Sequence, residues 1–125
     1  MASLKEIRKK DKLLNEILNG LEEIKGKDIT VLNLTKIKNT VCKYFVICTG
    51  GSNTQVRALA DSVEEEVREN LGEKPWHIEG MAQADWVLMD YVDIVAHIFR
   101  PETRAFFNIE ELWGDAEIYK LEETN

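Results

Sequence analysis

Residues Ala84 to Phe107 read ADWVLMDYVDIVAHIFRPETRAFF, and this stretch decides the fold. Two apolar runs, Trp86 to Tyr91 and Asp93 to Phe99, meet across a tight turn between acids, which predicts a pair of strands. Pro101 suits the first position of a helix and opens a final one through Trp113. Side chains alternate along a strand, so Trp86 and Leu88 point one way and Val87 and Met89 the other, while Ile94, Ala96 and Ile98 oppose Val95, His97 and Phe99. Both faces are mostly apolar. Such a sheet needs cover on both sides: either the helices divide between the faces, or some sheet surface awaits a partner.

Upstream, the pattern supplies the cover. Ser3 with Glu6 forms a capping box, and Leu14, Ile17, Leu18, Leu21 and Ile24 recur at helical spacing, with Gly26 as the stop. The run Lys9 to Lys12 interrupts the apolar stripe, so the firm helix is expected from Lys12 to Lys25, with residues 1–11 as a loosely attached extension. Asp28 to Leu34 and Val41 to Cys48 read as strands, paired as a hairpin or standing as separate neighbours. Ser52 with Gln55 caps a second long helix from Asn53 to Leu71, whose apolar face is Val56, Leu59, Ala60, Val63 and Val67, and Gly72 ends it. Pro75 to Glu79 makes a short strand, and residues 115–125 read as a frayed acidic tail.

At 125 residues, 44% hydrophobic and 31% charged, the chain has the composition of a single globular domain. Nothing in it reads as a membrane span or a secretory signal, so a cytoplasmic location is expected. Cys42 and Cys48 flank one strand, roughly 20 Å apart, beyond disulfide reach. The net charge of −7 is uneven: residues 1–60 hold 11 Lys/Arg against 6 Asp/Glu, and residues 61–125 hold 5 against 17. An acidic body of this kind argues for little direct RNA contact and suits a basic protein partner.

The motifs with the residue types for chemistry are sparse. Gly50-Gly51-Ser52 between a strand and a helix can present N–H groups to a phosphate, and Asp85, Asp90 and Asp93 lie near the same sheet. With Gly51, Ser52, Asp90 and Asp93 in the leading roles, this is the plan of a magnesium-dependent nucleotidyltransferase. Against it, the glycine turn lacks a P-loop lysine, and Asp90 and Asp93 bracket a turn, where acids serve local hydrogen bonds. His77 and His97 sit on separate strands without metal-ligand spacing. The residues call for no enzyme, metal or cofactor. Among the aromatic residues Trp86 stands out, following the Gly80 to Ala84 loop at the rim of the hairpin, where a large side chain can stay partly exposed.

KYFVICTG (Lys43 to Gly50), QVRALAD (Gln55 to Asp61), Glu79-Gly80, ADWVLMDYVDIVAHIF (Ala84 to Phe99) and IEELWGDA (Ile109 to Ala116) together resemble the ribosomal silencing factor family, also called Iojap-like proteins, over about Leu14 to Ala116. The resemblance implies an α/β single domain, a mixed sheet of about five strands flanked by helices, similar to the nucleotidyltransferase fold but without established transferase chemistry. It implies a factor that binds the large ribosomal subunit through its protein fourteen, blocks joining of the small subunit and lowers translation when nutrients are scarce. Members are commonly homodimeric when free, and organelle relatives serve ribosome assembly or translation. Carried over to this chain, the partner surface comprises Gly80, Asp85, Trp86, Leu88, Asp90 and Tyr91. Two positions depart from the family pattern. Lys43 stands where an aspartate is usual, and Val92 stands where glycine is common, so the hairpin turn is expected to differ in type.

Overall fold

The computed structural model describes residues 3–40 and 42–121. In chain order the elements are α1 (Leu4–Lys10), α2 (Lys12–Glu23), β1 (Lys27–Asn33), β2 (Tyr44–Thr49), α3 (Asn53–Leu71), β3 (His77–Glu79), β4 (Trp86–Asp90), β5 (Ile94–Phe99), α4 (Pro101–Phe107), α5 (Ile109–Leu112) and β6 (Glu117–Lys120). The strands form one mixed sheet in the order β3-β4-β5-β2-β1-β6. Only the central β2–β5 pair is parallel, and β1 and β2 are antiparallel neighbours joined by a loop. The α/β single domain therefore has six strands, not five.

Both long helices lie on the same face. Val87, Met89, Ile94, Ala96 and Ile98 of the hairpin pack there with Leu14, Ile17, Leu18 and Leu21 of α2 and Val56, Leu59, Val63 and Val67 of α3. α2 and α3 approach closely at Gly20, where a Cβ would lie 2.7 Å from the Val63 Cα, and Ser62 Oγ donates to the Gly20 carbonyl at 2.7 Å. Only glycine permits this approach. The opposite face is covered by smaller pieces: Leu32, Leu34, Ile47 and Phe99 form a second core under Ile37, Ile109 and Trp113.

Four expectations change. Residues 3–10 are not loosely attached: α1 folds back on α2, buries Ile7, and Arg8 reaches Asn15, Asn19 and Glu22 at 2.8 to 2.9 Å. Asp11 separates the two helices and caps the second through the Leu14 N–H. The acidic tail contributes β6, pairing Thr30 to Asn33 with Lys120 to Glu117, while residues 122–125 lie outside the described ones. A four-residue edge strand with charges at both ends carries almost no alternation to read. The final helix breaks at Asn108, which takes the left-handed conformation (φ 43°) that asparagine tolerates.

The fourth concerns Val92, which adopts positive φ, 75°, despite its branched Cβ. The Asp93 N–H bonds the Tyr91 carbonyl at 3.0 Å, closing a three-residue γ-turn, and Asp90 Oδ1 accepts from the Val92 N–H at 2.7 Å. The turn survives because the sheet and the Asp90 carboxylate fix both of its ends. Val92 is 59% exposed, so its side chain contributes little packing to offset the strain. Val92→Gly is expected to raise stability by about 1 kcal/mol, read as a higher denaturant midpoint; an unchanged or lower midpoint would refute the strain.

Candidate functional site

Alternation along β4 turns Trp86, Leu88 and Asp90 away from the two long helices, at the sheet end that α4 and α5 cover least. Trp86 is half-buried: its ring stacks on Phe99 at 4.9 Å, touches Phe107 at 4.9 Å, and its Nε1–H donates to His97 Nδ1 at 3.1 Å. That bond places the His97 proton on Nε2, which is buried without a partner among the described residues, in an aromatic cage that includes Phe45. Burial pulls the His97 imidazole down to about 4. Leu88 and Asp90 are half-buried, and Asp85 is exposed.

The loop before Trp86 is fastened from α3. Asn53 Nδ2 donates to the carbonyls of Gln83 (2.8 Å) and Ala84 (3.2 Å) and to Asp85 Oδ1 (3.1 Å). Arg57 donates through Nε to the Met81 carbonyl (2.9 Å) and through Nη2 to Ala82 (2.6 Å). Gly80 has φ 90°, and a Cβ there would collide with the Trp86 carbonyl oxygen. Asn53 and Arg57 were not singled out by the sequence. They look like ordinary residues of a solvated helix face, and only their place opposite a gap in secondary structure hints at a clamp.

Of the six residues the resemblance selects, Trp86, Leu88 and Asp90 share one face and Asp85 sits at their rim. Gly80 shapes the loop behind them. Tyr91 departs from the expectation, because it is buried in the helix-side core, where burial, then the charges of Glu64 and Glu73, raise its phenol. It supports the edge from within. Trp76 and Phe106 are 77% and 81% exposed, since among the described residues no element covers the outer end of β3 or the outer side of α4.

The transferase constellation is not assembled. Asp90 is level with Val95 and, through it, with Phe45, five residues before Gly50, so about 17 Å of strand separates the acid from the glycine turn. Ser52 Oγ caps the Gln55 N–H at 3.1 Å, and the Gly51 N–H bonds Gln55 Oε1 at 2.6 Å. The turn borders a cleft of about 500 Å³ lined also by Lys27, Thr49 and Arg104. Among the described residues no three His, Cys, Asp or Glu side chains group to hold a metal ion. Burial pushes the Cys48 thiol up to about 12, and burial with Asp90 and Asp93 nearby pushes Cys42 up to about 11. Both are poor nucleophiles in this state.

Fold and site together define a small α/β protein with a half-covered aromatic sheet face beside Asp85 and Asp90. Sequence comparison is specific: residues 7–125 match the family model described as ribosomal silencing factor during starvation. The chain belongs to the ribosomal silencing factor family. It is 37% identical over 110 residues to the ribosomal silencing factor of Halalkalibacterium halodurans, covering 88% of this chain and 92% of that one. A crystal structure of a Chromobacterium violaceum protein superposes with a TM-score of 0.77 at 37% identity, covering 82% and 84% of the two chains. A more distant relative, 26% identical over 80% of this chain and 44% of its own, is the mouse protein named mitochondrial assembly of ribosomal large subunit protein 1.

His97 yields a pH test. Its folded pKa lies below the unfolded value of about 6.5, so the folded state resists protonation, and stability present above that value is lost as pH falls toward 4. The loss should approach about 3 kcal/mol, and His97→Gln should remove that part of the profile. Denaturant titrations of both proteins across this window check it; identical profiles would contradict the burial of a neutral imidazole.

Proposed function

We propose that this chain is a ribosomal silencing factor that docks on the large ribosomal subunit through its protein fourteen and occupies space the small subunit needs. Steric exclusion of the small subunit then lowers translation under nutrient limitation. The observation that carries this reading is the incompletely covered outer face of β4, where half-buried Leu88 and the outer part of Trp86 lie near Asp85 and Asp90. An apolar anchor within an acidic rim suits a basic ribosomal protein, because the anchor supplies contact area and the rim supplies attraction and orientation. The work is done by binding alone, in the cytoplasm, with no catalytic step or cofactor, and the free factor is a homodimer.

A second reading, assistance to assembly of the large subunit, is favoured by the name of the mouse relative. Both uses share one surface. Depleting the factor separates them: silencing predicts more joined ribosomes in starved cells and normal particles in growing ones, whereas assembly predicts accumulated large-subunit precursors during growth.

Trp86 is a poor first target, since its truncation also leaves a cavity beside Phe99 and strips His97 of its donor. Leu88→Ala is the cleaner test, since Asp85 also accepts from Asn53 in the clamp on the loop. Cosedimentation with purified large subunits should show Kd rising at least tenfold, about 1.4 kcal/mol, with little change in thermal midpoint. The same variant should no longer suppress subunit joining in sucrose gradients. Undiminished binding would remove β4 from the interface.

A further inference from the structure

The edge around Trp86 is small. A standard protein–protein interface draws about 20 to 30 residues from each side, and β4 with its rim offers only a few that face outward. The surface continuous with it is α4–α5: the Trp86 ring touches Phe107, whose ring centre lies 5.0 Å from that of Phe106. Neither short helix buries a residue. Phe106, Phe107 and Leu112 are 81%, 49% and 79% exposed.

What fastens α4 is polar. Arg104 donates to the Asp28 carbonyl and Thr49 Oγ1, each at 2.8 Å, and to Thr30 Oγ1 at 3.2 Å; its other contacts are the two Glu110 oxygens at 3.0 and 3.1 Å. One guanidinium thus ties the helix to β1, β2 and α5. Of the two phenylalanines at its end, Phe106 is left to solvent and Phe107 is half-covered by Trp86. The sign of the surroundings is negative. Arg104 is engaged by Glu110 and Arg100 stands 3.6 Å from Glu102, while Glu111 in α5 and Asp115 just after it are exposed acids.

We propose that α4–α5 is the second half of the docking surface and receives a basic segment bearing apolar side chains, contributed by the same large-subunit protein that meets β4. This rests on the docking reading above and adds to it the residues Phe106 and Leu112. An acidic rim repels nucleic-acid phosphates. A second copy docking the same patch isologously would set the acids of the two copies against one another. A cationic protein segment meets neither obstacle.

The test is Phe106→Ser combined with Leu112→Ser. Both side chains are almost fully exposed, so the thermal midpoint should hold. Binding to purified large subunits is measured by cosedimentation beside Leu88→Ala, and self-association by analytical ultracentrifugation. The expected result is a Kd raised tenfold or more, with the oligomeric state of the free chain unchanged. A Kd equal to wild type while Leu88→Ala weakens binding would overturn the proposal and leave the docking reading standing. Conversion of a wild-type dimer to monomer with unaltered Kd would assign the patch to a second copy and overturn it too. Failure of the wild-type chain to sediment with large subunits would end both readings.

Discussion

The close approach of α2 and α3 at Gly20 governs the distribution of everything else. Because a glycine faces Val63 backbone to backbone, two long helices fit side by side on one face of the sheet instead of dividing between the faces. The other face must then be covered with what remains: two short helices, a loop and a layer of aromatic rings. That cover is incomplete around β4. An apolar sheet face without a full helical layer is costly for a protein that only has to fold, and its retention is the physical reason to look there for a partner.

The ring layer is stiffened by polar contacts that the apolar pattern alone would not reveal. Trp86 is held by a stacked ring on one side and by the unprotonated nitrogen of a buried histidine on another. Its orientation is therefore fixed, which would lower the entropy lost on the proposed docking. The same histidine sits with its second nitrogen unsatisfied in an aromatic cage, a cost accepted in exchange for a neutral acceptor at the right height. Stability and presentation of the edge are thus coupled through one side chain.

Much of this was legible in the sequence. The hairpin, both long helices and the two-sided apolar character of the sheet follow from periodicity, and motif resemblance supplied the family. What escaped was non-local. β6 is too short and too charged to alternate visibly, and α1 looked detached because the run Lys9 to Lys12 interrupts the apolar stripe, whereas buried Ile7 and the hydrogen bonds of Arg8 hold it to α2. The family set also mixed residues of different roles. Tyr91 neighbours Asp90 in sequence, but the alternation that turns Asp90 outward sends the phenol into the helix-side core. Val92 was judged by intrinsic preference, and the tertiary frame overrode it.

The Gly50-Gly51-Ser52 turn is the instructive case. Its residues are those of a phosphate cradle, and the N-terminus of a long helix begins where a ligand would sit. In this chain the same polar groups are turned inward. Ser52 accepts from the helix's own Gln55 N–H, the Gln55 side chain accepts from the Gly51 N–H of the turn, and Asn53 and Arg57 grip five acceptors in residues 81–85. A strand–turn–helix unit that elsewhere would hold a nucleotide here holds a loop of its own protein, and through it sets the position from which Trp86 and β4 begin. The local signal for chemistry was real; its object is backbone, which no spacing rule could have told apart from phosphate.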